Sequence, residues 1–430
     1  MNAHARTRGR PRAARRDAGG QGGGDAQLNA ARELLAAVLR FDAPADAVVS
    51  RHFRAHPQLG QRDRHVLAET VYQVLRHLRL WRHLAQGAPV APELALLALG
   101  WQGDAARLGD ALAAWRAQTL ALDLSTLPAA LRYSLPDWLA QALAGEGFDA
   151  LAASLLQPAP LDLRVNVLKA TRDEARQRLH ADGIDAQPTA LSPWGLRVQG
   201  KPALHRASAF VDGLVEVQDE GSQLLALLLA PRRGEMVADF CAGAGGKTLA
   251  LGAMMRNSGR LYAFDTAAHR LDKLRPRLAR SGLSNVYPVV ITHERDERVR
   301  RLAGKLDRVL VDAPCSGTGT LRRNPDLKWR LHGDEIARLA EQQGAILHAA
   351  AQLVKPGGRL FYATCSLLRA ENRDVIEAFI AAQPGWRVLD AGALLAQQQL
   401  ALPAPSPMLE LRPDRDGTDG FFAAALQREG

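Results

Sequence analysis

"VADFCAGAGGKTLAL", residues 237–251, runs from an apolar strand through a glycine-rich turn into the start of a helix. Such a turn brings a helix N-terminus and bare backbone N–H groups up to a ligand. Gly246-Lys247-Thr248 has the form of the end of a P-loop, and "RVLVDAP" at 308–314 could be the strand that follows one. A P-loop, however, has glycine five positions before Gly246, where this chain has Cys241. The same turn also suits a nucleotide-type cofactor, which calls for an acidic residue at the next strand end to hold a ribose hydroxyl. "LYAFD" supplies it as Asp265, 20 residues after Gly245. A tight turn with no ligand is the plain alternative.

Working outward, "EMVADFC", "RLYAFD", "VYPVVI", "DRVLVDAP" and "GRLFYATCS" are apolar runs separated by helical segments. That alternation predicts an α/β domain with a doubly wound parallel sheet over 217–430, with "DGFFAAALQ" as a late edge strand. Residues 146–216 read as a small α/β module: strand-like "LDLRVNVL", a helix in "TRDEARQRLHADG", and strand again in "WGLRVQG". Over 26–145, "ARELLAAVLRF" and "DRHVLAETVYQVLRHLRLW" repeat apolar residues at three- and four-residue spacing, which predicts an all-α domain. Arg62, Arg64, Arg76, Arg79 and Arg82 suggest one face of it for RNA. Residues 1–25, with six arginines against Asp17 and Asp25, read as a disordered basic tail.

The 430-residue chain is 47% hydrophobic and 23% charged, ordinary for a globular protein. No stretch approaches the ~20 apolar residues of a membrane span, and the tail lacks the apolar centre of a secretory signal. A net charge of +10 points to a polyanionic partner. Three cysteines, 74 and 50 residues apart, fit neither a disulfide framework nor a zinc site, so no metal and a reducing cytoplasm are expected. The chain is expected to be a monomer.

Two of those cysteines, Cys315 and Cys365, close apolar runs where parallel strands end. A thiol pair beside an adenosine-type cofactor and a basic surface suits one reaction. C5 of cytosine is a poor nucleophile; a thiolate adding to C6 turns C5 into an enamine carbon able to attack a sulfonium methyl group. A base must then remove the C5 proton and the thiol must leave. Asp312, Cys315 and Cys365 would supply the attacking thiol, an acid or donor near N3, and help with elimination. Which thiol attacks stays open on this logic, because enzymes that methylate DNA cytosine attack with a Pro-Cys thiol. Two cysteines serving as small core hydrophobes is the alternative.

"DAPCSGTGTLRRNPD", "YATCSLLRAEN", "FCAGAGGK" and "DGFFAA" together resemble the Sun-type family of RNA cytosine-C5 methyltransferases over about 160–430. "LGQRDRHVLAETVYQVLR" is similar to the NusB-like domain found in bacterial members that act on small-subunit rRNA. The resemblance implies a class I, Rossmann-like methyltransferase fold behind a NusB-like RNA-binding domain, with S-adenosylmethionine as cofactor and RNA as partner. It makes Cys365 the nucleophile and Cys315 the residue that assists product release, with Asp312 and Lys247 facing the reaction. It assigns the cofactor to Cys241, Ala242, Gly243, Ala244, Gly245, Gly246, Lys247, Asp265, Arg270, His293 and Asp312. It places Arg322, Arg323 and Asn324 beside the target RNA base. Two departures stand out. The family's Cys-Ala-Ala-Pro-Gly-Gly-Lys is Cys-Ala-Gly-Ala-Gly-Gly-Lys here, and His293 occupies the position of a family aspartate, with Asp296 nearby in another register. Rival readings are a tRNA methyltransferase, an RNA-binding assembly factor with a vestigial core, and a P-loop NTPase.

Overall fold

The computed structural model describes residues 22–401 and 406–430. The tail expected to be disordered lies outside these residues up to 21, and residues 22–25 open the first helix, Gly22–Val38. The chain divides into two compact units between Thr126 and Leu127.

The first unit is helical: Gly22–Val38, Ala45–Ala55, Gln61–Leu84, Pro92–Gly100 and Asp110–Leu120. The 61–84 helix buries Leu67, Val71, Val74, Leu75 and Leu78, the stripe its spacing predicts. Gly100 lets its neighbour approach, since a Cβ there would stand 2.5 Å from Val74 Cγ2. The arginines do not form one face. Arg62 and Arg82 are exposed, but Arg76 is buried over the Tyr72 ring, and a kink at His77 breaks the helical register between them.

The second unit begins earlier than the expected boundary at 146. Leu135, Leu139, Leu151 and Leu155, on short helices after Leu127 and the turn between two of them, share a core with Leu321, Ile336 and Leu368 of the α/β domain. Apolar spacing reports a helix but not the core it joins, so the boundary was not legible there. A small antiparallel sheet follows, built from β1 (Leu161–Val165), β2 (Ala186–Pro188), β3 (Gly195–Val198) and β4 (Val215–Val217) in the order β2-β3-β1-β4.

The large sheet contains β5 (Met236–Asp239), β6 (Arg260–Asp265), β7 (Val286–Val290), β8 (Leu306–Asp312), β9 (Val354–Thr364), β10 (Trp386–Leu389), β11 (Leu409–Leu411) and β12 (Phe421–Arg428). Its order is β10-β12-β9-β8-β5-β6-β7, with β11 also on β12. Strands β5 to β9 pair in parallel, and β12 joins β9 antiparallel. This is the doubly wound α/β fold expected. The order in which strands are added reverses between β5 and β8, and such a switch point leaves a crevice at the strand C-termini. The "DGFFAA" strand is interior, not an edge. Phe421, Ala423 and Ala425 enter the core on one face, and Phe422, Ala424 and Leu426 the core on the other. An unbroken apolar run of this kind signals burial on both faces.

Candidate active site

The C-termini of β5, β6, β8 and β9 surround a cavity of about 800 Å³. The loop after β5 reaches it because two glycines accept left-handed backbone. Gly243 has φ +55 with open space where a Cβ would project, and Gly245 has φ +82 with Leu274 Cδ1 only 2.1 Å from an added Cβ. Asp265, at the end of β6, shapes the loop from the other side. Its Oδ2 accepts the Gly243 N–H at 2.8 Å and its Oδ1 the Ala267 N–H at 2.7 Å. The small sheet braces the loop from behind. Arg164 of β1 donates to the Gly246 carbonyl at 2.6 Å and to Gln218. Arg277 donates to the Ala244 carbonyl at 2.6 Å and is held by Glu216 of β4 at 3.1 Å. Arg164, Gln218, Arg277 and Glu216 were not singled out from sequence, because the groups they bond lie 33 to 82 residues away along the chain.

Asp239 ends β5 in the core behind the loop. Its Oδ2 accepts from Thr248 Oγ1 at 2.7 Å, while Oδ1 has no partner. Burial first, then the Asp312 and Asp265 carboxylates, push its pKa up to about 7. The folded chain therefore keeps a proton that an unfolded Asp releases near pH 4, so stability falls as pH rises from about 4 to 7. The loss is on the order of 4 kcal/mol at most. Asp239→Asn removes the titration. Whatever offset the new amide brings, the melting temperature of the variant relative to wild type rises between pH 5 and pH 8. A difference that is flat with pH refutes the assignment.

Cys315 and Cys365 follow β8 and β9, and their sulfurs stand 3.4 Å apart. Both line the cavity, with Cys241, Lys247, Arg270, His293 and Asp312. Lys247 Nζ lies 2.8 Å from Asp312 Oδ2. Burial alone would lower this ammonium's pKa, but Asp312, with Cys365 and Asp239 behind it, more than offsets burial and raises it. The Cys315 thiol is pushed well up by its hydrogen bond to Cys365, then by burial. Cys241 is likewise pushed up by burial and the surrounding Asp239, Asp312 and Asp265 carboxylates, so it stays a thiol.

The sequence-predicted residues thus converge, with two qualifications. His293 lines the cavity, its Nδ1 accepting the Arg295 N–H at 3.1 Å. Asp296 instead caps the short helix Glu297–Arg300, accepting from Thr292 N and Arg298 N at 2.9 Å each. Arg322 and Arg323 serve the fold. Buried Arg322 donates to the Thr418 and Pro158 carbonyls at 3.1 and 3.4 Å. Arg323 pairs with Asp219 at 2.8 Å and with Asp419, and donates to the Pro160 carbonyl at 3.0 Å. Asn324 donates to Thr320 Oγ1 at 3.3 Å.

Residues 226–427 match the model for 16S rRNA methyltransferase RsmB/F, and 135–205 match the ferredoxin-like domain of RsmF/B-type methyltransferases. A probable ribosomal RNA small subunit methyltransferase B of Synechocystis sp. is 37% identical over 71% of this chain and 70% of its own length. Ribosomal RNA small subunit methyltransferase B of Sodalis glossinidius is 33% identical over 93% and 89%. The chain belongs to the RsmB/F methyltransferase family. In three dimensions it is similar to a methyltransferase homolog from Pyrococcus horikoshii, with a TM-score of 0.60 at 29% identity, over 71% of this chain and all of that one. Methyltransferases of this family use S-adenosylmethionine, and the site fits it. Open space beside Gly243 gives backbone access, Asp265 closes the neighbouring strand end, and exposed Arg270 has no ion pair among the described residues. The P-loop reading is set aside. Lys247 is engaged by Asp312, and no helix among the described residues is long and apolar enough to cross a membrane. Nor do the described residues hold a His, Cys, Asp and Glu cluster able to bind a metal.

Proposed function

We propose that this methyltransferase transfers a methyl group to C5 of a cytosine in small-subunit rRNA, with Cys365 forming a transient bond to C6. The observation that carries the reading is the pair of thiols 3.4 Å apart at the strand ends beside the cofactor loop. When bound in that loop, S-adenosylmethionine supplies an electrophilic sulfonium methyl group. The loop backbone, Asp265, Arg270 and His293 would hold it, and Asp312 keeps Lys247 aimed into the cavity.

The Cys365 thiolate adds to C6, and the C5–C6 π electrons become available at C5 to take the methyl group. The Lys247 ammonium, in the same cavity, would stabilise the negative charge that develops on the ring. Elimination then breaks the C6–S bond. Cys315, still protonated, gives its proton to the departing Cys365 sulfur and takes up the proton lost from C5. The bond electrons return to Cys365, the C5–C6 double bond re-forms, and both side chains end as thiols; ionisation of Cys365 to solvent starts the next cycle. Asp219 and Asp419 leave Arg323 few free donors, so RNA affinity is assigned chiefly to other basic groups.

Calorimetry with S-adenosylmethionine and bisulfite sequencing of RNA from a strain lacking the gene test this. Cofactor binding and one lost C5 mark in small-subunit rRNA are expected. A mark lost from tRNA overturns the substrate, and no cofactor binding favours a vestigial core.

A further inference from the structure

Glu371 lies in the short turn Arg369–Glu371 behind the two thiol loops and is fully buried. Its carboxylate accepts four hydrogen bonds. Oε1 takes Ser316 N at 2.8 Å and Gln343 Nε2 at 3.0 Å; Oε2 takes Ser316 Oγ and Ser366 Oγ, each at 2.5 Å. Ser316 directly follows Cys315, and Ser366 directly follows Cys365. Gln343 extends the tie by donating to the Pro314 carbonyl at 2.9 Å and accepting from Tyr362 OH at 3.1 Å. Four donors on two oxygens are the pattern of an ionised carboxylate, and among the described residues no Lys, Arg or His side chain pairs with it. A buried charge held only by neutral donors is costly to keep. A neutral residue could link the same loops at lower cost, so the charge itself needs a use.

The ties to the two loops are unequal: two of the four bonds, from Ser316 N and Ser316 Oγ, are made next to Cys315, and one, from Ser366 Oγ, next to Cys365. The Lys247 ammonium interacts with Cys365. Cys315 also feels the Glu371 carboxylate, after its hydrogen bond to Cys365 and burial, and all three favour its protonated form. We propose that Glu371 is a positioning residue that divides the roles of the thiols: it ties both cysteine loops into one unit and fixes a negative charge behind Cys315, leaving attack to Cys365. The inference rests on the covalent mechanism above and names the group that makes it directional. Glu371 lines no part of the cavity and acts only through the two loops.

The test is site-resolved alkylation of the full-length protein by iodoacetamide between pH 6 and 10, without RNA, read by mass spectrometry of the two cysteine peptides. Only a thiolate reacts, so the rates report each sulfur's protonation. In the wild type Cys365 should react at least about tenfold faster than Cys315 at pH 7.5. Glu371→Gln should raise the Cys315 rate about fivefold or more and shift its pH profile downward, while Cys365 changes less. Glu371→Asp, which keeps the charge but loosens the ties, should leave Cys315 slow. A Cys315 rate within twofold of wild type in Glu371→Gln, or equally fast Cys315 in the Asp and Gln variants, overturns the proposal. Should neither variant fold, equal rates for the two cysteines in the wild type still overturn it. RNA adducts are measured separately, so covalent chemistry can survive the loss of this assignment.

Discussion

Incubated with small-subunit rRNA and S-adenosylmethionine, Cys315→Ala should give a slow-migrating RNA–protein band on a denaturing gel, and Cys365→Ala should give none. The asymmetry follows from the order of bond changes. Without the Cys365 sulfur no C6–S bond can form. Without Cys315 the bond forms and the methyl group transfers, but the departing sulfur has lost the proton donor that stands 3.4 Å away. Both variants should lose multiple turnover, on the order of 10³-fold or more, since each removes a group acting in one coupled sequence. A single-turnover assay separates them: Cys315→Ala should still label RNA with about one methyl group per enzyme, and Cys365→Ala should not. Cys241→Ser serves as the control. That thiol is pushed toward protonation by burial and three carboxylates, so it should keep much of the activity and form no trapped band. The reverse pattern, with a band only in Cys365→Ala, would hand the attack to the Pro-Cys thiol. A band in neither would remove the covalent route.

The legible parts of this molecule share a physical cause. β5, β6, β8 and β9 are apolar runs because both sheet faces are covered, and their C-terminal ends are where polar residues first become tolerable. Asp265, Asp312, Cys315 and Cys365 therefore announced themselves by position. Gly245 did so by need, since its φ of +82 and the Leu274 contact exclude other residues. Less legible were features set by contacts distant in sequence. Glu371 stands inside a motif that was noticed, yet its partners Ser316 and Gln343 lie 55 and 28 residues away. The family resemblance placed the loop arginines beside the target RNA base. Arg323 is instead matched by Asp219 and Asp419, 104 and 96 residues away. Similarly, "DGFFAA" was read as an edge because it comes last in the chain, although its unbroken apolar run already argued for an interior strand.

That last strand also explains a second large effect. Gly319→Ala should lower the methylation rate about 100-fold while changing cofactor affinity less than about threefold. Gly319 lies in the Cys315 loop, and its N–H donates to the Cys365 carbonyl at 2.9 Å. Its own carbonyl accepts from the Gly420 N–H at 2.8 Å, so one residue joins both thiol loops to the start of β12. A Cβ on residue 319 would stand 2.1 Å from the Gly420 carbonyl oxygen and 2.8 Å from its Cα. Both neighbours are backbone, so no side chain can rotate away and one loop must move by a large fraction of an ångström. Displacements of that size at reacting atoms are where rates fall by two orders of magnitude. The cofactor loop stands on β5 and β6, braced by Arg164 and Arg277, and does not depend on this contact. Calorimetry and single-turnover methylation on the same preparation give the two numbers. An unchanged rate would mean that the loops tolerate the shift and that the glycine pair is not what registers the thiols. Equal losses in rate and cofactor affinity would mean that Gly319 supports the whole domain rather than the thiol geometry.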